Sequence, residues 1–179
     1  MRWDDINTQV CSMARTLAIV GDRWTFLIIR DLFLGNRRFS SLHKSLGLSK
    51  HRLSDRLNRL VENDVLYKQC YDPARQRFEY RLTEKGLDLY PVLMTIVQFG
   101  NKWEVDSDGI PLEHYHKSCG QITQPYLACS ECDEAIHAQD VEPALGPGIT
   151  KKIARGESIG IDSEFFSRAG SQSPGSSAK

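Results

Sequence analysis

Between Asp22 and Gly35 lies the stretch that most limits how this chain can fold. Trp24-Thr25-Phe26-Leu27-Ile28-Ile29-Arg30-Asp31-Leu32-Phe33-Leu34 carries charge only at Arg30 and Asp31. Asp22 is placed to cap it as a helix, and Gly35 to end it. A helix apolar almost all round has no face for water, so it belongs at the centre of a domain with other elements packed about it.

The flanking segments supply those elements. Val10, Met13, Ala14, Leu17 and Ala18 recur at helical spacing before Gly21. Phe39, Leu42 and Leu46 share one face of a short helix that Gly47 ends. Ser49 then caps another helix, from Lys50 to Asn63, with an apolar stripe of Leu53, Leu57, Leu60 and Val61. Two short helices joined by Gly47-Leu48 predict a helix-turn-helix. Residues 65–71 and 77–82 favour strand, and Asp72-Pro73-Ala74-Arg75-Gln76 between them favours a turn, which gives a two-stranded wing. Thr83 should cap a long last helix running to Trp103, kinked or interrupted at Pro91.

The predicted fold class is therefore mainly α with a small β-wing: a winged helix-turn-helix domain over residues 1–105. Asp106-Ser107-Asp108-Gly109 marks a linker. A small Cys/His module follows over 106–148, and 149–179 is expected to be irregular, ending in a Ser- and Gly-rich disordered tail. The chain shows no long apolar run and no N-terminal signal pattern, so the expected location is cytoplasmic, without membrane contact.

The formal net charge of zero conceals an asymmetry. Residues 1–104 carry 17 Lys+Arg against 12 Asp+Glu, whereas 105–179 carry 6 against 11. Within residues 37–59, seven cations (Arg37, Arg38, Lys44, Lys50, Arg52, Arg56 and Arg59) face the single anion Asp55. Such an excess on a helix-turn-helix suits a polyphosphate partner, in this case double-stranded DNA. The N-terminal turn of the Ser49 helix would present Lys50, His51, Arg52 and Asp55 to base edges, with Ser49 itself also among the DNA-contact candidates. Arg38 and Ser40, at the start of the preceding helix, would hold the DNA backbone. Arg56, Asn58 and Arg59 lie further along, where phosphate contacts and structural partners are both open; Arg59 is kept among the contact candidates. Arg75 and Arg77 flank the wing turn, within reach of phosphate or a narrow minor groove.

Five cysteines, Cys11, Cys70, Cys119, Cys129 and Cys132, are an odd count and form no disulfide framework. Cys70, on a strand, is assigned a structural role. His116-x2-Cys119 and Cys129-x2-Cys132 offer four ligands in two close pairs, the spacing of a structural zinc ribbon, with His114 and His137 as alternative donors. A redox dithiol is the competing reading of these thiols. Cys11, at the start of the first helix and near Arg15, is placed where a helix dipole favours thiolate; a buried, unreactive cysteine is the competing reading.

The segment over about residues 10–104 resembles the HxlR-type regulators, a branch of the winged-helix transcription factors. The resemblance lies in Cys11-Ser12-Met13-Ala14-Arg15, Gly21-Asp22-Arg23-Trp24-Thr25, Leu34-Gly35-Asn36-Arg37-Arg38-Phe39 and Leu53-Ser54-Asp55-Arg56-Leu57. It continues through Glu79-Tyr80-Arg81-Leu82-Thr83-Glu84-Lys85-Gly86. It implies a homodimer that places one recognition helix per subunit in the major groove of a palindromic operator, with flanking wings, acting as a repressor. It also implies that a cysteine at the Cys11 position senses oxidants or electrophiles, as in several members, so that the effector is a small molecule or an electrophile. Ser12 stands where the family usually has Pro, and Asp133 where extended members often have Gly.

Dimer contacts are expected from the first and last helices, with Leu93, Met94, Val97 and Trp103 as the surplus apolar residues. Two other readings compete: a zinc-stabilised protein-interaction module, and a thiol oxidoreductase using Cys129 and Cys132. The second lacks a thioredoxin-like βαβ context, and the basic helix-turn-helix argues against the first. No nucleophile–base constellation and no glycine-rich phosphate loop occurs, so no enzyme activity is expected.

Overall fold

A computed structural model describes Ile6, residues 9–157 and Ile159. Its helices are α1 (Ser12–Val20), α2 (Arg23–Phe33), α3 (Phe39–Leu46), α4 (Lys50–Glu62), α5 (Glu84–Leu87), α6 (Tyr90–Trp103) and α7 (Pro147–Ala154); its strands are β1 (Leu66–Asp72) and β2 (Arg77–Leu82). The backbone divides into two compact units, one of residues 19–125 and one of residues 1–18 with 126–179. The disordered tail expected at the C-terminus lies outside the described residues.

The larger unit is built around α2, as the apolar pattern requires. Ile28 and Ile29 are completely buried, and the core they anchor takes in Val20, Leu42, Leu53, Leu57, Leu60, Val65 and Leu66. Each such aliphatic side chain contributes about 1.5–3 kcal/mol through burial. The expected caps form: Asp22 accepts the N–H of Trp24, Ser49 that of Arg52 and Thr83 that of Gly86. Gly47 adopts the left-handed conformation (φ 65°) that turns α3 into α4, with Leu48 buried beneath the turn.

β1 and β2 pair antiparallel from Leu66 opposite Leu82 to Asp72 opposite Arg77, with an irregularity between Cys70 and Asp72. The tip is a short 3-10 turn, Pro73–Arg75. The wing is braced at its base by a pairing that periodicity did not reveal. Arg38 bridges Glu79, and the N–H of Tyr80 donates to the Arg37 carbonyl at 2.9 Å. A third extended segment thus lies beside β2, immediately before α3.

The long last helix is two helices. α5 ends at Leu87, two turn residues follow, and α6 begins at Tyr90 with Pro91 in its first turn, where the missing N–H costs nothing. Gly86 is buried in α5, and a Cβ there would lie 2.3 Å from the Val65 carbonyl oxygen.

The chain beyond α6 stays with it in the larger unit: the Gln98 side-chain amide donates to the Pro125 carbonyl, and Leu112 and His114 line a cavity against α6. The segment from residue 149, expected to be irregular, begins inside α7. Pro147 supplies the fixed first turn of that helix, and Ile149 and Ile153 lie one turn apart.

Candidate nucleic-acid interface

Two carboxylates, Asp31 near the end of α2 and Asp22 at its cap, tie the helix-turn-helix to the central helix. Asp31, only 3 % exposed, receives Nε and Nη2 of Arg30 at 3.1 and 2.7 Å and Nδ2 of Asn36 at 3.1 Å. Ser45, in the last turn of α3, donates to it as well. Burial pushes the Asp31 carboxyl up, but these donors outweigh it and hold the group below its ordinary value. A charged residue is thus tolerated in an apolar helix because it anchors both the α2–α3 loop and α3.

At the other end of α2, Asp22 accepts Arg56 Nε at 3.0 Å and Nη2 at 3.1 Å. The Arg56 hydrogen bond holds the Asp22 carboxyl below its ordinary range. Of the two roles open for Arg56, the structure shows the structural one: this guanidinium ties α4 to the cap of α2. Asn58 likewise has an internal partner, accepting from Lys68 Nζ of β1 at 3.4 Å.

With Leu53, Leu57 and Leu60 buried and Arg56 occupied, α4 keeps Lys50, His51, Arg52, Asp55 and Arg59 exposed. His51 Nδ1 lies 3.0 Å from Asp55 Oδ2, one turn on. Ser49 is exposed and uses its hydroxyl oxygen on the Arg52 N–H. Ser40 is exposed on the first turn of α3. Arg38 is exposed but not isolated, because its guanidinium lies over the Tyr71 ring of β1 at 4.5 Å. Arg75 and Arg77 are exposed on either side of Gln76 at the wing tip. Arg38 and Ser40 thus lie at the start of α3, Ser49, Lys50, His51 and Arg52 at the start of α4, Asp55 and Arg59 further along α4, and Arg75 and Arg77 on the wing.

The thiols fall in separate places. Cys11 immediately precedes α1 and its carbonyl accepts the Arg15 N–H; the Arg15 side chain donates instead to the Gln9 carbonyl, at 3.0 Å. Cys70 is exposed on β1. In the larger unit, Cys119 Sγ approaches His116 Nδ1 at 3.4 Å across a turn in which Gly120 N–H donates to the His116 carbonyl and His116 N–H to that of Gln121. In the other unit, Cys129 and Cys132 share a turn of the same form: Asp133 N–H donates to the Cys129 carbonyl and Cys129 N–H to that of Glu134. Gly120 and Asp133 are both left-handed, at φ 68° and 58°. Backbone N–H groups of Glu131 and Cys132 lower the Cys129 pKa. Among the described residues, no group of three or more His, Cys, Asp or Glu side chains stands together as a metal site.

Comparison with known proteins agrees with this geometry. The HxlR-like helix-turn-helix family model matches residues 19–108. An uncharacterised HTH-type transcriptional regulator of Mycobacterium tuberculosis is 41% identical over 143 residues, 80% of this chain and 90% of its own length. The crystal structure of the transcription-factor candidate PA1607 superposes with a TM-score of 0.69 at 33% identity, covering 77% of this chain and 96% of its own. A second candidate, PA1374 from Pseudomonas aeruginosa, gives 0.54 at 29% identity, covering 88% and 99%. An exposed polar face on α4, a wing braced by the segment before α3 and these likenesses together lead to one conclusion: the chain belongs to the HxlR-like helix-turn-helix family of transcriptional regulators.

Proposed function

We propose that this regulator binds a palindromic duplex operator sequence-specifically as a homodimer and represses transcription from it. The observation that supports this reading best is the division of labour on α4. Its leucines and Arg56 are taken up by the fold, while Lys50, His51, Arg52, Asp55 and Arg59 stay exposed on one short helix. A helix of this length fits the major groove, where Arg and Lys read guanine and Asp accepts from cytosine. Arg38, Ser40, Arg75 and Arg77 would hold the phosphates on either side. Work on the chromosome places the protein in the cytoplasm, and no helix among the described residues is long and apolar enough to cross a membrane.

The dimer contact is assigned to the outward face of α6. Of the residues expected at that contact, Leu93 and Met94 are buried in their own unit and Val97 lines a cavity, whereas Trp103 is exposed. Val92, Ile96, Phe99 and Trp103 do stand exposed at helical spacing, the last two at 63 % and 64 %. A second copy of α6 is the partner this stripe fits, and a two-fold dimer would match a palindrome.

The same proposal includes a thiol response through Cys11, which the boundary of α1 leaves half-exposed, and zinc uptake by the His116/Cys119 and Cys129/Cys132 donor pairs. The matching turns support the zinc reading, since each presents two soft donors three residues apart, as tetrahedral zinc sites do.

Selection of genomic fragments with the purified full-length protein tests the central claim. A palindrome bound about a thousandfold more tightly than scrambled duplex at fixed salt is expected. Uniform weak binding to every fragment overturns it.

A further inference from the structure

The unit that carries the helix-turn-helix also contains a cavity of about 410 Å³, well inside the size range of small-molecule sites. Phe33 of α2, Leu93, Met94 and Val97 of α6, and Leu112 beyond it form its apolar walls. The Phe33 and Tyr90 rings meet at 5.1 Å and close one side. The face of α6 involved is distinct from the stripe assigned to the dimer: at 100° per residue the two are centred roughly 130° apart around the helix. A second copy bound to the stripe would therefore leave the cavity available.

The lining also holds Glu104 and His114, and Arg30 is its guanidinium. It spends Nε and Nη2 on Asp31, and among the described residues no protein acceptor meets its Nη1. An apolar molecule without an acceptor would desolvate those N–H groups and satisfy none of them, whereas a carboxylate would form charge-assisted hydrogen bonds. Asp31, in turn, is the residue that holds Asn36 and Ser45, and hence the placement of α3.

We propose that this cavity is an effector site for a small aromatic carboxylate, and that the ligand regulates DNA binding by competing with Asp31 for Arg30. Ligand capture draws the guanidinium from a buried carboxylate, which must then re-form its hydrogen bonds through Asn36 and Ser45. The first helix of the DNA-binding motif shifts as a result, and operator affinity falls. The regulatory half of this proposal rests on the DNA-binding reading; the binding half does not.

The test uses the full-length protein with 2-naphthoate as probe and 2-naphthalenemethanol as its neutral counterpart. Calorimetry is expected to show one naphthoate per chain, bound at least about tenfold more tightly than the alcohol, since one lost charge-assisted bond amounts to about that factor. Val97→Trp fills the cavity and should abolish binding while the thermal midpoint and the circular dichroism stay native. Arg30→Gln should remove the preference for the acid over the alcohol. Absence of naphthoate binding at millimolar concentration, or binding untouched by Val97→Trp, overturns the site. Saturating naphthoate should weaken binding to the selected operator several-fold in the native protein and not in Val97→Trp; an unchanged operator affinity overturns the regulatory link. A protein that binds no operator at all refutes the DNA-binding reading and with it that link, while the calorimetric result still decides the site.

Discussion

Asp22 and Arg56, thirty-four residues apart, form a two-pronged ion pair between the N-cap of the central helix and the middle of α4. The same carboxylate caps α2 through the Trp24 N–H. Asp22→Ala removes both roles and should cost about 1–2 kcal/mol in chemical denaturation, the scale of a lost N-cap with a partly exposed ion pair. Asp22 and Asp31 both titrate below their ordinary value of 3.8. A depressed folded-state pKa gives stability that is complete above the unfolded value and lost as pH falls through the folded one. Stability should therefore hold from neutral pH to about 5 and drop below about 4, and Asp22→Asn should flatten that drop.

Gly86 faces the Val65 carbonyl so closely that no side chain fits. Gly86→Ala should destabilise by about 1–3 kcal/mol, the usual cost of overpacking, although alanine is the better helix former. An unaltered thermal midpoint would show that α5 can move away from β1.

On DNA, Arg75→Ala should reduce the salt dependence of operator binding by about one phosphate contact while leaving sequence preference intact. Arg52→Ala should cost about 1–3 kcal/mol and relax the preference at one base pair. Filter binding across a salt series separates the two behaviours; an unchanged slope for Arg75→Ala would remove the wing tip from the interface.

Phe99→Asp with Trp103→Ala should convert the protein to a monomer in sedimentation while its thermal midpoint stays within a few degrees of native. Leu93→Asp should instead unfold the chain, because its side chain is buried. A native protein that sediments only as monomer at micromolar concentration would end the dimer assignment.

Two thiol measurements are independent of each other. Loss of operator binding on treatment with diamide should disappear in Cys11→Ser, and retained sensitivity would refute Cys11 as the sensor. One zinc per chain by elemental analysis should be lost in both Cys119→Ser and Cys129→Ser; a zinc-free native protein that resists chelators would refute that part.

Much of this was legible because local physics fixed it. The Asp22, Ser49 and Thr83 caps act over two or three residues, the Gly47 turn needs only its own φ, and α2 is apolar enough to admit one location. What the sequence concealed is tertiary. Arg38, Arg56 and Asn58 are polar residues on exposed helix starts or faces, and nothing nearby in the chain identifies Tyr71, Asp22 or Lys68 as their partners. Asp31 gave a signal of its own, a lone acid in an apolar helix, yet its partner Ser45 lies a helix away. α6 is apolar on two faces, so periodicity alone could not say which one packs inward. α7 was missed because Ile149 and Ile153 are too few to set a period.

On the first turn of α4 the fold makes little claim on His51 and Arg52, and that has an evolutionary consequence. His51 and Arg52 can be exchanged without creating a cavity or stranding a buried charge, so a duplicated copy of this regulator could acquire a new address on the chromosome by a handful of substitutions. Under the proposed DNA-binding role, the residues of this helix that hold the fold and those that would meet an operator are largely different, and free to diverge at different rates.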